Sequence, residues 1–504
     1  MDSDMEMSHL EQLPDDDDDD SDSDNDNDDQ GARALLTPNT QTRGQGKQPA
    51  TRAAATLWNQ IGSIVLEALP TLLFTTMGLL FTGELFAKIS HWNAMTSINE
   101  LIAIVLAILN LKGNIEMNLS ARLGTAANMG DLDVPSTRNA LILGNLALIQ
   151  VQAAVVSFVA ACFPFLLSAI FPGLGEESPE SLPPGTRSLF HYSRTPGLDH
   201  SHRGPPTGVS KSGFNEFMVV ASTAMSSSCL SAILLGSFMS GLVVLCRKLG
   251  RDPDNIAPPI AACLGDLVTM SLLGAMSTVL TLGIATAAPY AVVAAVTLFA
   301  IMCASIVRQN EHVRPLLSAG WIPLLGAMVI ASASGIVLDA FVARYEGYAI
   351  LGVAFGGIPG GAGSIFVSRL STALHAAASV IAPLPNSGHS NHEPSSRVVM
   401  LVLFLVSIPV GVAFFFILRV SAWLATPFLF TVLALFFLCT AIAISLVAGY
   451  ALTNYLWSRK YDPDMYALPI HAALMDLVGQ LLLVACFELA SAIGLHVRSH
   501  SSEA

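Results

Sequence analysis

The sequence predicts an all-α polytopic membrane protein of about eleven transmembrane helices, arranged as two parallel five-helix repeats joined by a linker helix. Three observations predict this class. The chain is 52% hydrophobic and only 12% charged, whereas soluble domains carry about 25% charged residues. Apolar runs recur from about Ile61 to Gly494, many with the roughly 20 residues needed to cross a hydrocarbon core of about 30 Å. The segment APPIAACLGDLV, Ala257–Val268, returns as ALPIHAALMDLV, Ala467–Val478, with an aspartate in the same frame.

The elements follow in order. Residues 1–30 hold 15 acidic residues and no Lys or Arg. Such a composition cannot bury enough apolar surface to fold, so 1–57 reads as an acidic, disordered, cytoplasmic tail. A weak reservoir for divalent cations at a cytoplasmic entrance is the alternative reading. The tail accounts for the net charge of −14, and the remaining chain is near neutral. Its acidity argues against a transit peptide, and no early apolar run suggests a cleaved signal.

Helices are expected at 61–87, 98–123, 138–171, 214–246, 256–285, 289–307, 321–343, 349–376, 398–419, 424–456 and 465–493. The first repeat is placed at 58–286, with a polar loop at 172–213. A linker helix and loop follow at 287–320. The second repeat is placed at 321–494, with a polar loop at 383–397, and a short tail at 495–504. Both loops are rich in Pro, Ser, Gly and His and read as surface loops. Their histidines read as loop residues ahead of zinc ligands. The seven cysteines have no spacing that suggests disulfides or a zinc site.

The repeat has two parts. At an offset of 210, Asp252-Pro253-Asp254 falls on Asp462-Pro463-Asp464, Pro259 on Pro469, Ala262 on Ala472 and Asp266 on Asp476. At an offset of 247, KGNIEMNLSARLGTA, Lys112–Ala126, falls on PGGAGSIFVSRLSTA, Pro359–Ala373. The 172–213 loop accounts for most of the difference in offset. A five-helix unit would invert its neighbour if fused directly. One linker helix restores the orientation, so the repeats should be parallel about an axis along the membrane normal. Arg247, Lys248, Arg251, Arg308, Arg314, Arg459 and Lys460 then fall on one face and place the N-terminus in the cytoplasm. Arg187, Arg194, Arg203 and Lys211 of the 172–213 loop dissent.

A charged side chain at the bilayer centre costs at least about 2.5–3.5 kcal/mol, so it usually faces a bundle interior or a watery path. Asp254 is expected to cap its helix, with Pro258 and Pro259 in the first turn. Asp266 then lies about 18 Å along the helix, near the midplane, and Asp476 at the same depth. Gly113, Asn114, Gly360 and Gly361 complete the candidate metal set, offering backbone carbonyls and one amide. Plain helix packing through small residues is an equal reading for the glycines. Pro259, Ala262, Thr269, Pro469, Ala472, Gly479 and Asn145 are candidates to line the path. An all-oxygen set suits Mg²⁺ and offers none of the donors that soft metals favour. Glu116 is expected to pair with Lys112, and Arg122 and Arg369 to anchor the helices at the interface.

The chain resembles solute carrier family 41, the eukaryotic relatives of the MgtE magnesium channels. The resemblance rests on LKGNIEMNLSARLGTAAN (Leu111–Asn128), GNLALIQVQA (Gly144–Ala153), DPDNIAPPIAACLGDL (Asp252–Leu267) and DPDMYALPIHAALMDL (Asp462–Leu477). It implies a Mg²⁺ transporter with two MgtE-like halves in one chain, the ion held by Asp266 and Asp476. Mg²⁺ is the transported ion, no cofactor is implied, and Na⁺ is the candidate counter-ion. The lipid bilayer is the one macroscopic partner, with no nucleic acid. Two repeats replace an MgtE dimer, so a monomer is the expected unit, in the plasma membrane or an organelle membrane. Family second halves read Gly-Gly-Asn where this chain has Gly360-Gly361-Ala362, so a polar ligand is missing there.

A transporter of another divalent cation or of a proton-coupled solute is the alternative. An intramembrane aspartyl protease is more remote. Its Gly-x-Gly-Asp signature is broken by Cys263, and its two motifs are dissimilar whereas these two are copies. No enzyme activity is therefore expected.

Overall fold

The computed structural model describes residues 50–89, 92, 99–170, 214–284, 286–342, 344–345, 347–380, 395–421, 424 and 427–495. Most of the acidic tail, the 172–213 loop, most of the 383–397 loop and the last nine residues lie outside them.

Eleven long helices follow one another among the described residues: α1 (Ala50–Ile89), α2 (Asn99–Met129), α3 (Pro135–Ile170), α4 (Phe214–Lys248), α5 (Pro253–Leu282), α6 (Ala288–Gln309), α7 (Trp321–Val342), α8 (Tyr348–Val380), α9 (Ser396–Val420), α10 (Phe428–Ser458) and α11 (Pro463–Ala492). Ten of the described helices are long and apolar enough to cross a membrane. The eleventh, α2, interrupts its apolar run with Lys112, Glu116 and Arg122. The chain is an integral, multi-pass, all-α membrane protein.

Several boundaries move, α2 running on to Met129 and α8 to Val380. The Ala-rich start ATRAAATLW holds α1 helical from Ala50, inside the expected tail, because alanine carries no propensity cost. Helix α9 begins at Ser396, inside the expected loop. The caps of α5 and α11 are Asp252 and Asp462, each accepting from the N–H two residues on, at 3.1 and 3.0 Å. Asp254 is therefore not the cap. Proline at the first helical position follows each cap, and Pro258 and Pro259 sit a turn deeper than expected.

The approach to both caps is the same turn. The Arg251 N–H bonds the Cys246 carbonyl and the Tyr461 N–H the Leu456 carbonyl, each at 2.9 Å. This closure needs a left-handed residue in between, supplied by Gly250 at φ 65° and by Lys460 at φ 62°. From there the two helices match in burial position by position, over 251–273 and 461–483.

Equivalent residues meet each other across the molecule. The hydroxyls of Thr125 and Thr372, related by the 247 offset, lie 3.0 Å apart. A residue touching its own copy marks a twofold axis. Asp254 is within electrostatic reach of Asp464, and Asp266 of Asp476. These two levels are about 18 Å apart along α5, so the pseudo-axis runs parallel to the helices and the halves are parallel. Thr125→Cys with Thr372→Cys is expected to form a disulfide under mild oxidation. After cleavage at a protease site placed in the 172–213 loop, the two fragments should stay joined without reductant; separation would contradict the axis.

The first helix of each half crosses over. Ile64, Ala68, Leu72 and Leu80 of α1 join a core formed by α8, α9, α10 and α11. Leu324 of α7 joins the core formed by α2, α3, α4 and α5, and Ala327 and Ala331 pack on Ala473. Helix α6 lies outside, on α3 and α4.

Candidate functional site

Four helices surround the pseudo-axis: α2, α5, α8 and α11. Asp266 and Asp476 occupy equivalent, half-buried places on α5 and α11. Small residues let the backbones come close to them. The Asp266 Oδ1 lies 3.5 Å from where a side chain on Gly113 would begin, and the Asp476 Oδ1 2.6 Å from the same point on Gly356. Asp266 is also within reach of the Glu116 charge.

The remaining candidates divide into two groups. Gly360 and Gly361 are half-buried; Gly360 has nothing within 4 Å, and Gly361 faces Leu72 and Pro259 across the halves. Ala262 and Ala472 are half-buried and pack toward the first core. Gly113, Asn114, Pro259 and Pro469 are buried near the axis. The others serve packing. The Thr269 hydroxyl bonds Ser231 at 2.8 Å. Gly479 is pressed on the backbone of Phe355 and Gly356. Asn145, on α3, donates to the Leu141 carbonyl at 3.0 Å and is not brought to the aspartates; its neighbours Ala147 and Leu148 pack with the α6 residues Cys303 and Val307.

Beside Asp266 the first half buries an ion pair. Lys112 Nζ meets Glu116 Oε1 at 2.5 Å, with side-chain exposures of 2% and 0%. The second carboxylate oxygen has no partner and lies where a side chain on Gly265 would overlap it. Glu116 thus pairs with Lys112 as expected, yet it also faces the residue preceding Asp266. The second half has Pro359 and Gly363 at these positions. His471 fills the space over Gly363, its Nε2 3.1 Å from Ser445 Oγ, which donates to the Pro359 carbonyl at 2.6 Å. The halves are alike in backbone and unlike in charge.

Breaking a buried pair leaves an uncompensated charge, at about 3–5 kcal/mol. Lys112→Met is therefore expected to lower the unfolding temperature sharply in detergent. Lys112→Met combined with Glu116→Gln should recover most of the loss. A double variant no better than the single would show that Glu116 is neutralised by something else.

A second polar layer lies where α5 and α11 begin. Asp254 accepts from Asn128 at 2.8 Å, Ser368 at 2.9 Å and Thr372 at 2.6 Å. Arg369 pairs with Asp252 and donates to Asn255 at 3.1 Å. Asn255 in turn donates to the buried Glu67 of α1 at 2.8 Å. Arg122 is buried, and its Nη1 contacts Met465 Sδ at 2.8 Å. Neither arginine is the interfacial anchor expected: each ties α2 or α8 to the helix start of the opposite half. Partial burial, with Asp464 beside it, raises the Asp462 carboxyl to about 6.

Sequence reasoning missed Glu67, Thr125, Asn128, Asn255, Ser368, Thr372 and His471. The 247 offset, carried two residues past the quoted match, aligns Asn128 with His375 and points to this layer. An acid inside the apolar run of α1 was a comparable signal for Glu67.

A family model described as MgtE, divalent cation transporter, matches residues 105–276 and 353–486. Solute carrier family 41 member 2 of Xenopus laevis is 30% identical over 447 residues, 86% of this chain and 73% of that protein. The Homo sapiens member 2 is 30% identical over 448 residues, 86% and 71% of the two chains. Member 3 of Rattus norvegicus is 29% identical over 435 residues, 83% and 86%. Among solved structures a eukaryotic MATE transporter aligns over 87% of this chain and 96% of its own at 13% identity, with a TM-score of 0.16, too low to speak for a shared fold. The two matched segments are the two halves that meet at the pseudo-axis, each ending with its aspartate-bearing helix, and the chain belongs to the MgtE family of divalent cation transporters, within solute carrier family 41.

Proposed function

We propose that the transported ion is Mg²⁺ and that it crosses between the two halves, held by the carboxylates of Asp266 and Asp476. The observation that carries this reading is the approach of two equivalent carboxylates across the pseudo-axis, halfway along their helices. The donors there are oxygens. The nearby soft donors turn elsewhere: Cys263 Sγ toward Gly78 of α1 and His471 Nε2 toward Ser445. Mg²⁺ binds through one or two carboxylates and keeps several waters, and the space beside Gly360 leaves room for them. In this reading one chain is the working unit, the N-terminus is cytoplasmic, and Na⁺ is the counter-ion to be tested.

The test is Mg²⁺ flux in proteoliposomes of defined orientation, with and without an opposing Na⁺ gradient. Mg²⁺ uptake well above that of empty liposomes is expected. Uptake of another divalent cation with none of Mg²⁺ would overturn the ion assignment, and flux indifferent to Na⁺ would remove the exchange step.

A further inference from the structure

We propose that His375, Asp462 and Asp464 form a second metal site, at the level where α11 begins and about 18 Å along that helix from Asp476, for a divalent cation of the Zn²⁺ and Co²⁺ class. The cluster lies at the end of the bundle where α11 begins. One ligand atom from each of the three residues lies within 4.8 Å of the others.

The orientation of the imidazole is the first argument. His375 Nδ1 lies 3.1 Å from the Ser371 carbonyl, one turn back on α8. A carbonyl only accepts, so Nδ1 carries the proton. In the neutral ring Nε2 then presents a lone pair, 3.7 Å from Asp462 Oδ1. Two acceptors then face each other, and a metal ion between them would satisfy both. A ring nitrogen turned to a metal while the other donates to a carbonyl is the usual arrangement of a metal-ligating histidine.

Asp464 is the second argument. It is 3% exposed, and its Oδ1 has no hydrogen-bond partner. A buried acceptor left in this state is costly. The first half shows what the same position does when protein groups satisfy it. There Asn128 stands in place of His375 and donates to both Asp252, at 3.0 Å, and Asp254, at 2.8 Å. Ser368 and Thr372 add donors to Asp254. In the second half the position matching Ser368 is Ala121, and the Thr125 hydroxyl is taken up with Thr372. Arg122 offsets part of the carboxylate charge from within electrostatic reach, but its Nε and Nη2 bond to neither aspartate. The change of Asn128 to its counterpart His375 thus replaces a donor by an acceptor and leaves a pocket of three ligands.

The donor set names the metal class. Two carboxylate oxygens alone would suit Mg²⁺ or Mn²⁺; an imidazole nitrogen shifts the preference to Zn²⁺ and its neighbours. His375 and Asp462 are half-exposed, so the ligands can close onto an ion and the ion can enter.

The full chain in lipid nanodiscs, in excess Mg²⁺, would be titrated with Zn²⁺ by calorimetry and with Co²⁺ by visible absorption. His375→Asn restores the arrangement of the first half. It is expected to weaken one metal equivalent by at least about tenfold, the lower end of the effect of disturbing a metal site. Histidines elsewhere bind equally in both proteins and cancel in the difference. On the unaltered protein, Zn²⁺ but not Mg²⁺ should protect His375 from diethylpyrocarbonate, read by mass spectrometry. This second measurement decides the matter if the variant fails to fold. Identical titrations of the two proteins, or a His375 as reactive with Zn²⁺ as with Mg²⁺, would show that a proton on the imidazole bridges the cluster instead.

Discussion

Asp266→Asn is expected to lower Mg²⁺ flux ten- to hundredfold, and Asp476→Asn by a similar factor. Asparagine keeps the shape of the side chain and removes the charge. An interaction with a charged group is worth about 1.5–3 kcal/mol, which is roughly ten- to hundredfold in an equilibrium constant. The two carboxylates stand on opposite sides of one axis, so the double variant should fall short of the product of the single losses, as coupled residues do. Flux per folded protein, with folding checked by gel filtration, is the measurement. Near-normal rates in both single variants would remove the aspartates from the path.

Gly479→Ala is expected to cost more stability than any other single methyl group added to α11. Its new carbon would overlap the Phe355 carbonyl oxygen and come 2.6 Å from the Phe355 carbonyl carbon and 2.9 Å from the Gly356 nitrogen. These are backbone atoms, so α8 and α11 must part. Overpacking of this kind costs about 1–3 kcal/mol. Gly356 touches Asp476, so flux should fall as well. Gly360→Ala is the control: nothing lies within 4 Å of its new carbon, and alanine is about 0.8–1.0 kcal/mol better than glycine in a helix. Thermal unfolding in detergent should separate the two. Equal stability would mean that α8 and α11 are not packed at Gly479.

The helices were legible because lipid demands long apolar runs and Gly, Pro and charged turns punctuate them. The parallel pairing was legible because Asp266 and Asp476 recur in frame with their helix starts. What escaped was the partner of each polar residue. Sequence spacing pairs Lys112 with Glu116, four apart on one helix, but nothing local says that Arg369 belongs to Asp252 or that Thr125 belongs to Thr372. Those contacts span 117 and 247 residues. Arginine near an apolar helix reads as an anchor until the tertiary structure supplies its carboxylate. Thr269 and Gly479 looked like lining residues because they are small and share a face with an aspartate. One is held by Ser231, and the other is pressed on a neighbouring backbone.

The exchanged first helices also set a timetable for assembly. Ile64, Leu72 and Leu80 of α1 find their core only when α8 to α11 exist. Chains are synthesised at about 5–20 residues per second, and some 300 residues separate α1 from the helices that receive it, so the wait is roughly 15–60 seconds. During that time α1 has its contacts with α5, through Glu67 and Gly78, but not those with the second half. The buried face that later grips the second half is then open to lipid and to any passing helix. Neither half can finish folding before the ribosome has delivered the other.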